Sequence, residues 1–278
     1  MVKPGDRKNV VAYLMTTHQV SITRACKTIH FAKSMFYYRS NKDDSAVINK
    51  LKELAEQKPR EGQDKFYDRI RSDGLIWNYK RVRRVYLMLG LNHRRRIKRR
   101  VPARIKQPLT QPQAINRSWS MDFMSDSLQT KRKFRTLNIM DDYNRKAISI
   151  EADFSFPAHS VVEALKRAIH ENGKPEKIRV DNGPEFISST LSDWCRANNI
   201  ALQYIQPGKP MQNGFIERFN RTFRQDVLDA YLFEDIMQVR LLAEEWMNDY
   251  NNKRPHESLG GIAPNEFYER TKQLSLTM

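Results

Sequence analysis

The sequence predicts an α/β domain, a mixed sheet with helices on its faces, behind an all-α and strongly basic front half. Three observations predict it. The 278 residues carry 49 Lys and Arg against 32 Asp and Glu, a net charge of +17. That charge is lopsided: residues 1–117 hold 28 basic and 9 acidic side chains, residues 118–278 hold 21 and 23. Apolar residues recur at helical spacing through the front, whereas after Ser118 short apolar runs alternate with helical ones. The composition, 40% hydrophobic, supplies real cores and excludes global disorder. No apolar run of membrane-spanning length occurs, and Met1 to Tyr13 lacks a signal peptide's apolar segment. Two cysteines, Cys26 and Cys195, are too few for a disulfide framework or a structural zinc site. The expected home is the cytoplasm, and the expected partner of the cationic front is a polyanion, nucleic acid first.

The front divides at about residue 42. In 1–42, Val10, Leu14, Val20, Ala25, Ile29, Phe31 and Phe36 form a periodic set. Ser21 to Tyr38 reads as two short helices around a turn at His30-Phe31-Ala32, with Ser21 and Ser34 as N-caps, the proportions of a helix-turn-helix. In 43–92, Ala46 to Gln57 carries Val47, Leu51 and Leu54 on one stripe, and a helix holding Phe66 and Ile70 stops at Asp73-Gly74. Tyr79 to Leu89 turns Val82, Val85, Tyr86 and Leu89 inward and Lys80, Arg81, Arg83 and Arg84 outward, a cationic back suited to phosphates. Arg94, Arg95, Arg96, Lys98, Arg99 and Arg100 crowd six cations into seven positions, and Pro102, Pro108 and Pro112 follow. Segment 93–117 is therefore read as an extended basic linker lying along a DNA backbone, with a steep salt dependence.

In 118–278, Trp119–Met124, Phe134–Ile139 and Ala147–Ala152 read as a three-strand antiparallel meander. A helix at Ser160–Ile169, a strand at Lys177–Val180, a helix at Ser188–Ala197 and a strand at Ala201–Ile205 follow. Long helices at Asn213–Leu228 and Phe233–Asn248 close the domain, and Trp194 and Trp246 sit at core positions.

Three carboxylates stand out. Asp122 interrupts an apolar strand and needs a partner to offset its burial. Asp181 ends the Ile178-Arg179-Val180 strand, where α/β sheets place reactive groups. Glu217 lies beside the seam Phe215, Phe219, Phe223, Val227, with Arg221 and Arg224 along its own helix face. Converging carboxylates suit a hard divalent cation such as Mg²⁺ or Mn²⁺ rather than zinc. Asp141 and Asp142 read as hairpin residues instead, and Cys26 with His30 has no second pair to make a metal site.

The motifs that hold these residues carry a resemblance. Trp-Ser-Met-Asp-Phe at 119–123, Val-Asp-Asn-Gly-Pro-Glu-Phe at 180–186 and Pro-Gly-Lys-Pro-Met-Gln-Asn-Gly-Phe-Ile-Glu-Arg-Phe-Asn at 207–220 resemble the DDE transposases of bacterial insertion sequences. The match is to the OrfB catalytic subunit of the two-reading-frame (IS-three) family, within the retroviral integrase superfamily. The 35 residues between Asp181 and Glu217, and the closing Tyr250-Asn251-Asn252-Lys253-Arg254-Pro255-His256-Glu257, fit the same group.

The resemblance implies an RNase H-like catalytic domain over 118–278, a mixed five-stranded sheet with Asp122, Asp181 and Glu217 as catalytic metal ligands for two Mg²⁺ or Mn²⁺ ions. It implies cutting at the element's ends and joining of the 3′-hydroxyl to DNA. Lys209, Asn213, Arg221, Arg224 and His256 become candidate DNA contacts. The implied partners are terminal inverted repeats and target DNA, further copies of the chain in a dimer or larger assembly, and an OrfA portion supplied by frameshift fusion. No membrane is expected, and the nucleoid of a bacterial cytoplasm is the expected place. The alternatives are a nuclease of the same fold that does not join strands, and a silent DNA-binding repressor.

Overall fold

The computed structural model describes residues 4–39, 43–92, 111–206 and 210–276. The chain divides into two compact units, Met1–Ala46 and Val47–Met278.

The first unit holds α1 (Pro4–Thr17), α2 (Ile22–Thr28) and α3 (Lys33–Tyr37) around Val11, Ala25, Cys26 and Phe31. Ser21 caps α2, its Oγ accepting from Arg24 N at 3.4 Å. His30 takes φ +50° in the turn between α2 and α3. Ser34 is not a cap. Ala32 occupies that place without a side-chain hydrogen bond, because packing of Phe31 and Phe36 sets where α3 starts.

The second unit opens with α4 (Ser45–Gln57), α5 (Gln63–Ser72) and α6 (Tyr79–Met88). Their shared core is Val47, Leu51, Leu54, Phe66, Ile70, Val82, Val85 and Tyr86. The chain leaves α5 through Gly74 at φ +80°, a conformation that glycine adopts without strain.

The rest of this unit is built on a sheet. Its elements are β1 (Trp119–Ser127), β2 (Lys133–Asp141), β3 (Ala147–Asp153), α7 (Ala158–Asn172), β4 (Lys177–Val180), α8 (Pro184–Ile187), α9 (Ser189–Ala197) and β5 (Ala201–Tyr204). A 3-10 turn (Pro210–Asn213), α10 (Gly214–Phe223), a π turn (Arg224–Leu228), α11 (Ile236–Asn252), a 3-10 turn (Glu257–Leu259) and α12 (Pro264–Leu276) follow. The sheet order is β3-β2-β1-β4-β5. β1–β2 and β2–β3 pair antiparallel, while β1–β4 and β4–β5 pair parallel. This is the RNase H-like fold. Trp119, Met121, Ile178 and Val180 face α7 and α9; Met124, Phe134 and Met140 face α10 and α11. The alternation along β1 thus feeds two cores from one strand.

Helices α4–α6 belong to this same unit. Arg69 makes a bidentate pair with Glu61 at 2.7 and 2.8 Å and reaches Asp249 of α11 at 3.0 Å. Arg254 bonds Glu61 at 3.3 Å and Asp226 of the π turn at 2.6 Å. All of these groups are largely buried.

Three expectations change. The helix expected over Asn213–Leu228 is broken into a 3-10 turn, α10 and the π turn. The wider last turn buries Val227 and Leu228 while Asp226 meets Arg254 and the Trp246 indole at 3.1 Å. α11 begins at Ile236, capped by Asp235, because Phe233 is buried in the loop before it. The end of the expected linker is docked. Asn116 donates from its backbone to Asp141 and from its side chain to Asn172 O, and Arg117 pairs with Glu176 at 2.5 Å. Residues 93–110 of that linker lie outside the described residues. Among the described residues, no helix is long and apolar enough to cross a membrane.

Candidate active site

Asp122 sits midway along β1, between β2 and β4, and is half-buried. Its Oδ1 accepts from Phe123 N and its Oδ2 from Asn220 Nδ2, both at 2.8 Å. Asn220 Oδ1 accepts in turn from Asn138 Nδ2 at 2.7 Å. Asn138 is the register partner of Asp122 on β2. Two buried amides therefore fix the carboxylate's orientation and join β1, β2 and α10. The sequence reading missed both. The available signals were an Asn amid the apolar run of β2 and an Asn three positions after Glu217.

Asp181 follows β4 directly, and its Oδ1 accepts from Gly183 N at 2.9 Å. A Cβ at residue 183 would stand 3.0 Å from that oxygen, which explains the glycine. Asn182 donates to Ile205 O at 3.0 Å and holds the loop to the end of β5. Glu217 projects exposed from the first turn of α10.

Burial pushes the Asp122 carboxyl up to about 6, and the charges of Asp181 and Glu217 push it the same way, against the hydrogen bonds from Phe123 and Asn220. Asp181 and Glu217 therefore both lie within electrostatic reach of Asp122. Among the described residues, no three His, Cys, Asp or Glu side chains close into a ready metal-binding group. The oxygen-only donor set and its mutual repulsion nevertheless fit a hard divalent cation, which would relieve that repulsion.

Beside Asp122, Phe123 stacks on Phe186 at 4.9 Å, and the Arg135 guanidinium lies 4.0 Å over the Phe123 ring while pairing with Glu185. Neither Arg135 nor Glu185 was picked from the sequence.

The candidate DNA contacts are placed unevenly. Lys80, Arg83 and Arg84 are exposed on α6, with Arg81 half-buried, and Arg221 is exposed one turn beyond Glu217. Arg224 does not accompany Glu217; it bonds Asp126 at 3.2 Å and Ser125 O at 2.9 Å. Asn213 is buried, so it is not displayed to a ligand, and its Oδ1 has no partner among the described residues. His256 is also drawn inward: it packs edge-on against Tyr250 at 4.7 Å, and burial with nearby cations pushes its pKa down to about 3. Arg94, Arg95, Arg96, Lys98, Arg99, Arg100 and Lys209 lie outside the described residues. Asp141 and Asp142 anchor the β2–β3 hairpin from inside. Asp142 accepts from Ser118 and Ser120 at 2.7 and 2.5 Å and faces Arg179 at 3.3 Å.

Two family models, each described as "Integrase core domain", match residues 112–210 and 198–264. The insertion element IS407 uncharacterized 31.7 kDa protein of Burkholderia multivorans is 36% identical over 250 residues, 89% of this chain and 90% of that protein. The insertion element IS476 uncharacterized 39.2 kDa protein of Xanthomonas euvesicatoria is 32% identical over 266 residues, 95% of this chain and 77% of that protein. Among solved structures, the HTLV-2 integrase catalytic core domain in complex with magnesium (trimeric form) covers 55% of this chain and 95% of that chain. Its identity is 19% and its TM-score 0.42.

Proposed function

Because the chain belongs to the integrase-core DDE transposases of bacterial insertion elements, we propose that Asp122, Asp181 and Glu217 are its catalytic metal ligands. They cut the ends of the element and join them to DNA. The observation that carries this reading is Asp122. It is a carboxylate held by two hydrogen bonds in the central strand, its proton affinity raised by burial first and then by the other two acids of the set.

The chemistry is a pair of phosphoryl transfers. In the first, water attacks a phosphodiester at the element's end; the P–O bond to the 3′ oxygen breaks, leaving a 3′-hydroxyl and a 5′-phosphate. In the second, that hydroxyl loses its proton and attacks another phosphodiester; one P–O bond forms, one breaks, and a new 3′-hydroxyl leaves. Two Mg²⁺ or Mn²⁺ ions, which Asp122, Asp181 and Glu217 would hold, would supply charge neutralisation for these transfers. The chain's own part is positioning. Asn138 and Asn220 aim Asp122, Gly183 and Asn182 shape the loop of Asp181, and α10 presents Glu217. Arg221 and the cationic back of α6 hold phosphates.

The partners on this reading are duplex DNA at the terminal inverted repeats and the target, and further copies of the chain, since two ends must be acted on together. An OrfA portion, fused by frameshifting, would add end specificity that this chain has only weakly. The place of action is the bacterial nucleoid.

The test is a gel assay with DNA carrying the element's ends, with Mg²⁺ or with chelator, and with Glu217→Gln alongside. Joined products that require metal and vanish in the variant are expected. Cleavage without joining by the OrfA-fused protein would replace the transposase reading with the nuclease one. Joined products made equally well by the variant would remove Glu217 from the site.

A further inference from the structure

A cleft of about 780 Å³ lies on a different face of α10 from Glu217. Phe215, Arg218, Phe219 and Thr222, spaced i, i+3, i+4 and i+7, form one wall; Glu217 is not part of it. The opposite wall is the start of α5, and the loop after α11 closes one end.

Its chemistry is cationic. Arg60, Lys65, Arg145, Arg218 and Arg254 line it, against the acids Asp64, Asp68 and Glu257. Asp64 is engaged by the Tyr79 hydroxyl at 2.8 Å, and Arg254 is committed to Glu61 and Asp226. Arg145 is fixed flat on Phe215 at 3.5 Å and donates to Asp142 O. Among the described residues, no carboxylate lies within ion-pair distance of Arg60, Lys65 or Arg218, although Glu61, Asp226 and Asp68 act on Lys65 from farther off. One further nitrogen of the lining, His256 Nε2, is buried without a hydrogen-bond partner among the described residues. Burial and neighbouring cations hold the Lys65 pKa down to about 8 and keep His256 neutral. Cations that repel one another around an unpartnered buried nitrogen mark a place completed by an anion.

We propose that this cleft is a second phosphate-binding site, taking backbone phosphodiesters of a DNA strand that passes between α5 and α10. The cations are spread over α5, α10, the β2–β3 turn and the loop after α11, a layout for a row of phosphates rather than one small ion. The proposal rests on DNA being the substrate, but not on the roles of the three carboxylates. A strand lodged here ties the helical segment to the helix that bears Glu217.

The test uses the full chain with Glu217→Gln, so that DNA is bound and not cut. Anisotropy of a short fluorescein-labelled duplex of mixed sequence is read across a salt series, with and without Arg60→Gln and Arg218→Gln together. Both arginines are exposed, so folding should survive, and an unchanged thermal midpoint verifies it. The expected result is roughly tenfold weaker binding in the double variant and a log–log salt slope shallower by about two. An unchanged slope overturns the proposal, whatever the strand-joining assay shows. In a second arm, inorganic pyrophosphate is titrated against the labelled duplex. Weak, salt-like competition supports the DNA assignment. Tight pyrophosphate binding lost in the double variant, with DNA binding unaffected, overturns it in favour of a free-phosphate site.

Discussion

Asp122 is kept where an aspartate is least comfortable. Its carboxyl titrates near 6, above the roughly 3.9 of an unfolded aspartate, so the fold binds that proton more tightly than the unfolded chain does. Metal-free stability is therefore lost as pH rises from about 4 through 6, by an amount on the order of 1–2 kcal/mol after allowance for solvent screening. A divalent cation competes for the deprotonated form. Added Mg²⁺ should raise the thermal midpoint at about pH 7.5 and leave it nearly unchanged at about pH 5, read by scanning fluorimetry. Asp122→Asn should raise the metal-free midpoint at the higher pH and abolish the Mg²⁺ response; an undiminished response would take Asp122 out of the metal site. Asn220 has a different signature. Asn220→Ala frees one oxygen of Asp122 and should lower the rate of strand joining about tenfold or more while DNA affinity holds; equal losses in both would mark a merely structural residue.

At the scale of elements, the ion network around Glu61 joins α5 to α11 and to the π turn behind α10. Removing one member of a buried pair leaves an uncompensated charge. Arg254→Met should therefore cost about 3–5 kcal/mol in urea unfolding, and a loss below about 1 kcal/mol would show that the network is inessential. None of this was legible in the sequence. Arg69 and Asp249 lie 180 positions apart, and Glu61 and Arg254 lie 193 apart, so no local pattern links them. What was legible had short-range periodicity behind it: the alternation of β1–β3, the stripe of α4, the cationic back of α6, the Ser21 cap. The π turn was not, because it answers to a tertiary partner of Asp226 rather than to propensity. The short α8 and the terminal α12 lacked a strong enough repeat to be picked out. The three carboxylates proposed as ligands were picked out by motif and by their chemical oddity. The amides that aim Asp122 were passed over, since an Asn in a strand looks ordinary until its neighbour across the sheet is known. His256 shows the converse: a polar residue in a polar loop gives no hint that it is half-buried and packed edge-on against Tyr250.

For the whole molecule, the division of the chain matters more than its length. The sheet and α4–α6 form one compact unit, whereas residues 1–46 form another. A fragment spanning 43–278 should express as a folded protein with a single cooperative thermal transition. One spanning 111–278 deprives Asp249 and Arg254 of Arg69 and Glu61 and should melt several degrees lower or aggregate. Equal stability of the two fragments would show that the helical segment is an appendage after all.

The order in which the chain is made has its own consequence. All five strands are complete by Tyr204, before Glu217 has been added. A polypeptide released between Tyr204 and Glu217, by a broken message or a stalled ribosome, therefore contains every strand of the sheet yet lacks the third acid and the amide that steadies the first. If the three carboxylates act as proposed, such a product cannot cut, whatever DNA it still grips. On the proposed assignment, chain order alone thus makes this class of truncated product a bystander and not a hazard.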